Sequence, residues 1–227
     1  VKLLNVLSRA AKPRAQWPAA FNDQRAQEVA DFLISILKNH KGPGSEPVAA
    51  ASDLAAFGKA IPELKARAER AILEYYALES RPGPRGECLD ALAELGSKEG
   101  LRLSTVAALG SDNAMIRSGT YSLAKYSQYP ALMPEAHKAL RQIATENAAA
   151  RPLALKLLAN QGSREIASLI PHALRKGATL PEIEAGAFAV GKLKLSKHRD
   201  LLLQRAADTD DNYIRQTIDG ALRELDK

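Results

Sequence analysis

Cysteine is almost missing from this chain: Cys88 is the single thiol among 227 residues. No intramolecular disulfide can form, and no set of thiols exists to hold a structural zinc. Aromatic side chains are also scarce, at 5% with one tryptophan. Alanine and leucine dominate instead, a mix that suits helices packed closely through small side chains, whereas strands would want more Val, Ile, Tyr and Phe. Long apolar runs are absent too. The stretch Phe32-Leu33-Ile34-Ser35-Ile36-Leu37 falls far short of the roughly 20 residues that span a bilayer. Nor is charge of one sign concentrated. The net charge is +6, but residues 1–80 carry 11 Lys and Arg against 9 Asp and Glu, so no basic arm stands out.

What the chain does have is a period. Arginine recurs at Arg85, Arg117 and Arg151, 32 and 34 residues apart, and again at Arg215 after two further periods. Numbering each copy so that its arginine is position 5, positions 11 and 12 hold Ala91-Leu92, Leu123-Ala124, Leu157-Leu158 and Ala221-Leu222. The intermediate copy begins at Thr179, where Ile183 replaces the arginine, and a weaker copy begins at Glu46. Between these segments lie stretches with helical apolar spacing, at 22–40, 62–79, 98–109, 130–145, 163–176 and 196–208. Each period is therefore expected to be two antiparallel helices joined by short loops. Asn113, Asn147, Thr179 and Asp211 are expected to cap second helices, each worth ~1 kcal/mol. Gly110, Gly162 and Gly177 are expected to end the helices that precede them in the left-handed conformation.

Two helices per thirty-odd residues, with Asp or Asn, then hydrophobic-Arg, then Ala-Leu-x-x-Leu, resemble the HEAT repeat, in particular its short bacterial form. The resemblance covers about residues 46–227, with 22–40 as a first helix. It implies an all-α, right-handed α-solenoid (a superhelix) of about six HEAT-like helix pairs, with residues 22–227 as a single repeat domain. Residues 1–21 do not fit the repeat, and are expected to form a capping segment in which Trp17 plugs the open end. The last segment, from Asp211, is expected to close the stack, because Arg215, Gln216, Asp219, Arg223 and Glu224 leave it little apolar outer surface. The arginine ladder Arg85, Arg117, Arg151 and Arg215 is read as structural, each rung reaching carboxylates or carbonyls of the adjacent repeat.

Chemistry-bearing patterns are few. His40, His137, His172 and His198 are scattered without a second ligand at i+3 or i+4, and no His-Glu dipeptide of the HEAT-repeat hydroxylases occurs. Cys88 lies among Leu89, Leu92 and Leu95 and reads as a packed thiol. The acidic stretch Asp208, Asp210, Asp211 lacks the glycine and glutamate of a calcium loop and reads as a solvated cap. No catalytic residue, cofactor or metal ligand is assigned.

By the resemblance, second helices line a concave side, where positions 6, 10, 13 and 14 meet a partner. Those positions include Asp90, Ser122, Lys125, Tyr126, Lys156, Asn160, Glu184 and Lys192, a mixed polar set with one tyrosine that suits a protein or peptide better than a phosphate backbone. The expectation is a noncatalytic protein–protein interaction scaffold, as a monomer or as a module of a larger assembly. A nucleic-acid-binding HEAT-like protein and a lyase-like helper subunit of an enzyme are the alternatives. Nucleic acid is possible but not favoured, since Asp90, Glu94 and Glu184 interrupt the groove. The chain opens on Val1, which leaves an earlier targeting segment open, and the cytoplasm is the favoured compartment.

Overall fold

The computed structural model describes residues 23–39 and 44–227. The expected capping segment 1–21, Trp17 and His40 lie outside them. Among the described residues there are twelve α-helices and no strand, and no helix is long and apolar enough to cross a membrane. The chain divides into two compact units, the first ending at Leu132 and the second beginning at Met133.

The first unit contains α1 (Asp23–Asn39), α2 (Glu46–Ala60), α3 (Pro62–Leu78), α4 (Pro82–Glu94), α5 (Lys98–Leu109) and α6 (Asn113–Lys125), followed by a 3-10 turn at Tyr126–Gln128. Helices pair in sequence as α1/α2, α3/α4 and α5/α6, and the second helices stack in a row, α2 on α4 and α4 on α6. Leu33, Leu54, Phe57, Leu64, Ile72, Leu89 and Leu92 form the continuous core beneath that row. Each such side chain contributes ~1.5–3 kcal/mol on burial.

The second unit contains α7 (Met133–Glu146), α8 (Arg151–Asn160), α9 (Ile170–Ala173), α10 (Leu180–Lys192), α11 (Arg199–Ala207) and α12 (Asn212–Leu225). Here α8 packs on α10 and α10 on α12, with α7, α9 and α11 each against the second helix that follows. Leu140, Ile143, Leu155, Leu158, Ile183, Val190, Leu202 and Ile218 are buried between them.

Second helices start in two ways. Proline occupies one of the first two positions of α2, α4, α8 and α10, where its missing N–H costs nothing and its fixed φ suits the first turn. The other two, α6 and α12, open on an aspartate whose carboxylate accepts a main-chain amide: Asp112 from Met115 at 2.8 Å, and Asp211 from Tyr213 at 2.8 Å. The cap of α6 is thus Asp112, one residue before the expected Asn113. Asn147 caps the turn ahead of α8, accepting from the amides of Ala149 and Ala150.

Three further expectations need correction. Gly110 ends α5 in extended backbone, with φ of −72°, so only Gly162 and Gly177 of the expected three are left-handed. The stretch 163–176 forms a 3-10 segment, Arg164–Leu169, before the four-residue α9. Pro171 explains it, because it cannot donate to the carbonyl four residues back and crowds it. Likewise 196–208 begins as a 3-10 turn at Ser196–His198 before α11.

Small residues set how closely helices approach. A Cβ built on Gly119 would meet the Ser104 carbonyl oxygen of α5 at 2.5 Å and the Ala108 nitrogen at 2.8 Å. On α10, a Cβ at Gly191 would lie 3.2 Å from the Ala221 Cα of α12. The alanine and glycine content read from composition therefore serves helix-to-helix contact.

Candidate functional site

The repeat register places positions 6, 10, 13 and 14 of the second helices on one side of each row, and polar side chains there join one helix to the next. In the first unit, Ser122 of α6 donates its hydroxyl to Asp90 of α4 at 2.5 Å. Lys125 reaches Asp90 at 3.3 Å and Glu94 at 3.8 Å. Lys59 of α2 reaches Glu94 and Gln128, each at 3.1 Å. A chain of charges therefore runs α2–α4–α6 and is internally matched, two lysines to two acids.

The second unit repeats the device. Lys156 of α8 lies 3.2 Å from Glu184 of α10, which also accepts from the Tyr213 hydroxyl of α12 at 2.8 Å. Those bonds, that from Tyr213 first, hold the Glu184 carboxyl below its usual range. Asn160, at the end of α8, and Lys192, at the end of α10, are exposed.

Two expected contact residues are not available to a partner. Tyr126 is fully buried, and so is Ser122. The chain turns from α6 into the 3-10 segment at Tyr126, which swings its ring inward instead of along the outer face. The Tyr126 hydroxyl has no hydrogen-bond partner among the described residues, and burial pushes its pKa well above the ordinary value.

The arginine ladder holds at one rung. Arg151 is buried and donates to the carbonyls of Ala144 and Thr145 at 2.8 and 3.2 Å, and to Glu182 of the next repeat at 2.6 Å. The others stay local. Arg85 lies over the Tyr76 ring at 4.4 Å, Arg117 over the Tyr121 ring of its own helix at 5.9 Å, and Arg215 reaches Asp210 of its own loop at 3.4 Å. Of the four, Arg151 has a buried carboxylate opposite it among the described residues: Glu182, near the start of the next copy at Thr179.

Between α10 and α12 lies a groove of about 420 Å³. Its floor is Ala187, Gly191, Gly220 and Ala221, with Phe188 beside it and Glu184, Lys192 and Glu224 at the rim. Phe188 is 38% exposed, an aromatic ring partly open to water. Phe188 occupies position 10 of its copy, where Asp90, Ser122 and Lys156 stand in theirs. That register is the signal for it, masked because an aromatic between Ala187 and Ala189 has the pattern of a core residue.

Other reactive groups are quiet. Burial, with Glu79 and Glu87 nearby, pushes the Cys88 thiol up to about 12. His137, His172 and His198 are each held below the usual histidine value, by burial first and neighbouring cations second. No group of three or more His, Cys, Asp or Glu able to hold a metal ion occurs among the described residues. No known family model, curated protein or solved structure matches the chain.

Proposed function

We propose that the protein is a noncatalytic interaction scaffold, a right-handed solenoid of HEAT-like helix pairs that binds a partner protein or peptide on the concave face lined by its second helices. The row-by-row stacking of second helices within each unit supports the repeat reading. The observation that carries the binding reading is the groove between α10 and α12, where a partly exposed aromatic ring, an apolar floor and a charged rim converge. Apolar centre and polar rim is the layout of a protein-binding patch. Nucleic acid is the weaker fit, because Lys59, Lys125 and Lys156 are each engaged by a carboxylate of a neighbouring second helix and a phosphate backbone needs cations free to replace its counterions.

The experiment is affinity capture by the whole chain, compared with a Phe188→Asp, Lys192→Glu double variant. Specific partners retained by the parent and lost by the variant are expected. An identical partner list from both would refute the assignment of this face.

A further inference from the structure

Resting on that reading, we infer that the α10–α12 groove accepts an acidic peptide segment, one that inserts a single apolar side chain beside Phe188 and sets a neighbouring carboxylate against Lys192. The volume of about 420 Å³ lies within the ~300–1,000 Å³ of clefts that enclose a compact ligand. Space is left at the Gly220 position, where an added Cβ would touch nothing within 4 Å. An apolar side chain entering there meets Phe188, Ala187 and Ala221.

The sign of the ligand's charge follows from which rim groups are already engaged. Glu184 is held by Lys156 at 3.2 Å and by Tyr213 at 2.8 Å. Glu224 is held by Lys227 at 2.6 Å, with Lys194 at 3.9 Å. Lys194 also donates to the Glu224 carbonyl. Lys192 is exposed and has no carboxylate within ion-pair distance among the described residues, though its charge acts on Glu224 across the rim. The lining itself carries Glu184, Glu224 and Lys192; each carboxylate is bound by a lysine from outside the lining, and Lys192 is the lining charge that no ion pair holds. A basic peptide has to displace an existing ion pair to gain one of its own. An acidic peptide meets an exposed cation that no ion pair holds, which favours it in both encounter rate and specificity.

The test is selection of a displayed random library, of peptides about 12 residues long, on the whole chain. Fluorescence anisotropy of the enriched peptides then follows on the parent, Lys192→Glu and Phe188→Ala. Both side chains are exposed, so melting curves of the variants are expected to overlay the parent. Enriched peptides should carry Asp or Glu beside Leu, Ile or Phe, and should bind each variant roughly tenfold or more weakly. Enrichment of basic or uncharged peptides, or of acidic ones indifferent to both substitutions, overturns the inference. In that case the second-helix reading stands if binding falls instead with Asn160→Ala. A library with no enrichment over the bare support overturns both.

Discussion

Replacing Glu182 by glutamine keeps the shape of the side chain and removes one charge from the most enclosed ion pair described in the chain. The Arg151 and Glu182 side chains are 9% and 5% exposed, with Nη1 and Oε1 2.6 Å apart. Glu182 also accepts from the amide and the hydroxyl of Thr179, each at 2.9 Å, and Arg175 lies 3.6 Å away. Without the carboxylate, two guanidinium groups face each other across a neutral amide. Breaking a buried pair from one side costs ~3–5 kcal/mol, and Arg151 keeps its two carbonyls, so about 3 kcal/mol is expected from urea unfolding followed by circular dichroism at pH 7. The pH dependence gives a second readout. Burial pushes the Glu182 carboxyl up, but the hydrogen bonds from the Thr179 amide, from Arg151 and from the Thr179 hydroxyl outweigh it and hold the group at about 2, against 4.5 ordinarily. On acidification the unfolded chain takes the proton first. The carboxylate's contribution is therefore complete above about 4.5 and is lost as pH falls towards 2. Its upper bound is ~3 kcal/mol, cut to ~1–2 by solvent at the pair's outer edge. The gap between parent and variant should narrow by about 1 kcal/mol from pH 7 to pH 3. A variant within ~0.5 kcal/mol of the parent at pH 7, or a gap constant with pH, would refute the reasoning.

Gly119→Ala, which drives a Cβ into the backbone of α5, should cost about 1–3 kcal/mol, whereas Gly220→Ala on the open floor of α12 should stabilise by ~0.5–1 kcal/mol; thermal melts compare the two. Tyr126→Phe removes a buried hydroxyl that has no partner among the described residues, so stability should hold or rise by about 1 kcal/mol, and a loss of that size would reveal a bond to the hydroxyl. Cys88, fully buried and with its thiol pushed up to about 12, should react with iodoacetamide only as fast as the first unit opens, and fast labelling under native conditions would contradict its packing.

The helix pairs were legible because their signals are periodic. Leu64, Ala68, Ile72 and Tyr75 face the core of α3 as their spacing requires, and Asp211 and Thr179 stand where α12 and α10 begin. The failures are local. A proline inside an apolar stripe, Pro171, changes the helix type without disturbing the stripe, so 163–176 looked continuous. Tyr126 kept its register number but left the helix, and one turn of 3-10 geometry was enough to bury it. The arginines share a phase yet meet different neighbours, because a rung needs a carboxylate opposite, and among the described residues Glu182 supplies one to Arg151. Phe188 was readable from its position, but an aromatic between alanines reads as core until the backbone shows which way it faces.

The central claim is that partners meet the second helices. Photo-crosslinking tests it most directly, with benzoylphenylalanine in place of Phe188 on α10 or of Leu203 on the first helix α11, both partly exposed at 38% and 48%, and with the partner captured by the whole chain as target. The account predicts adducts from position 188 and none from 203. Adducts from 203 alone, or equal yields from both, would contradict it.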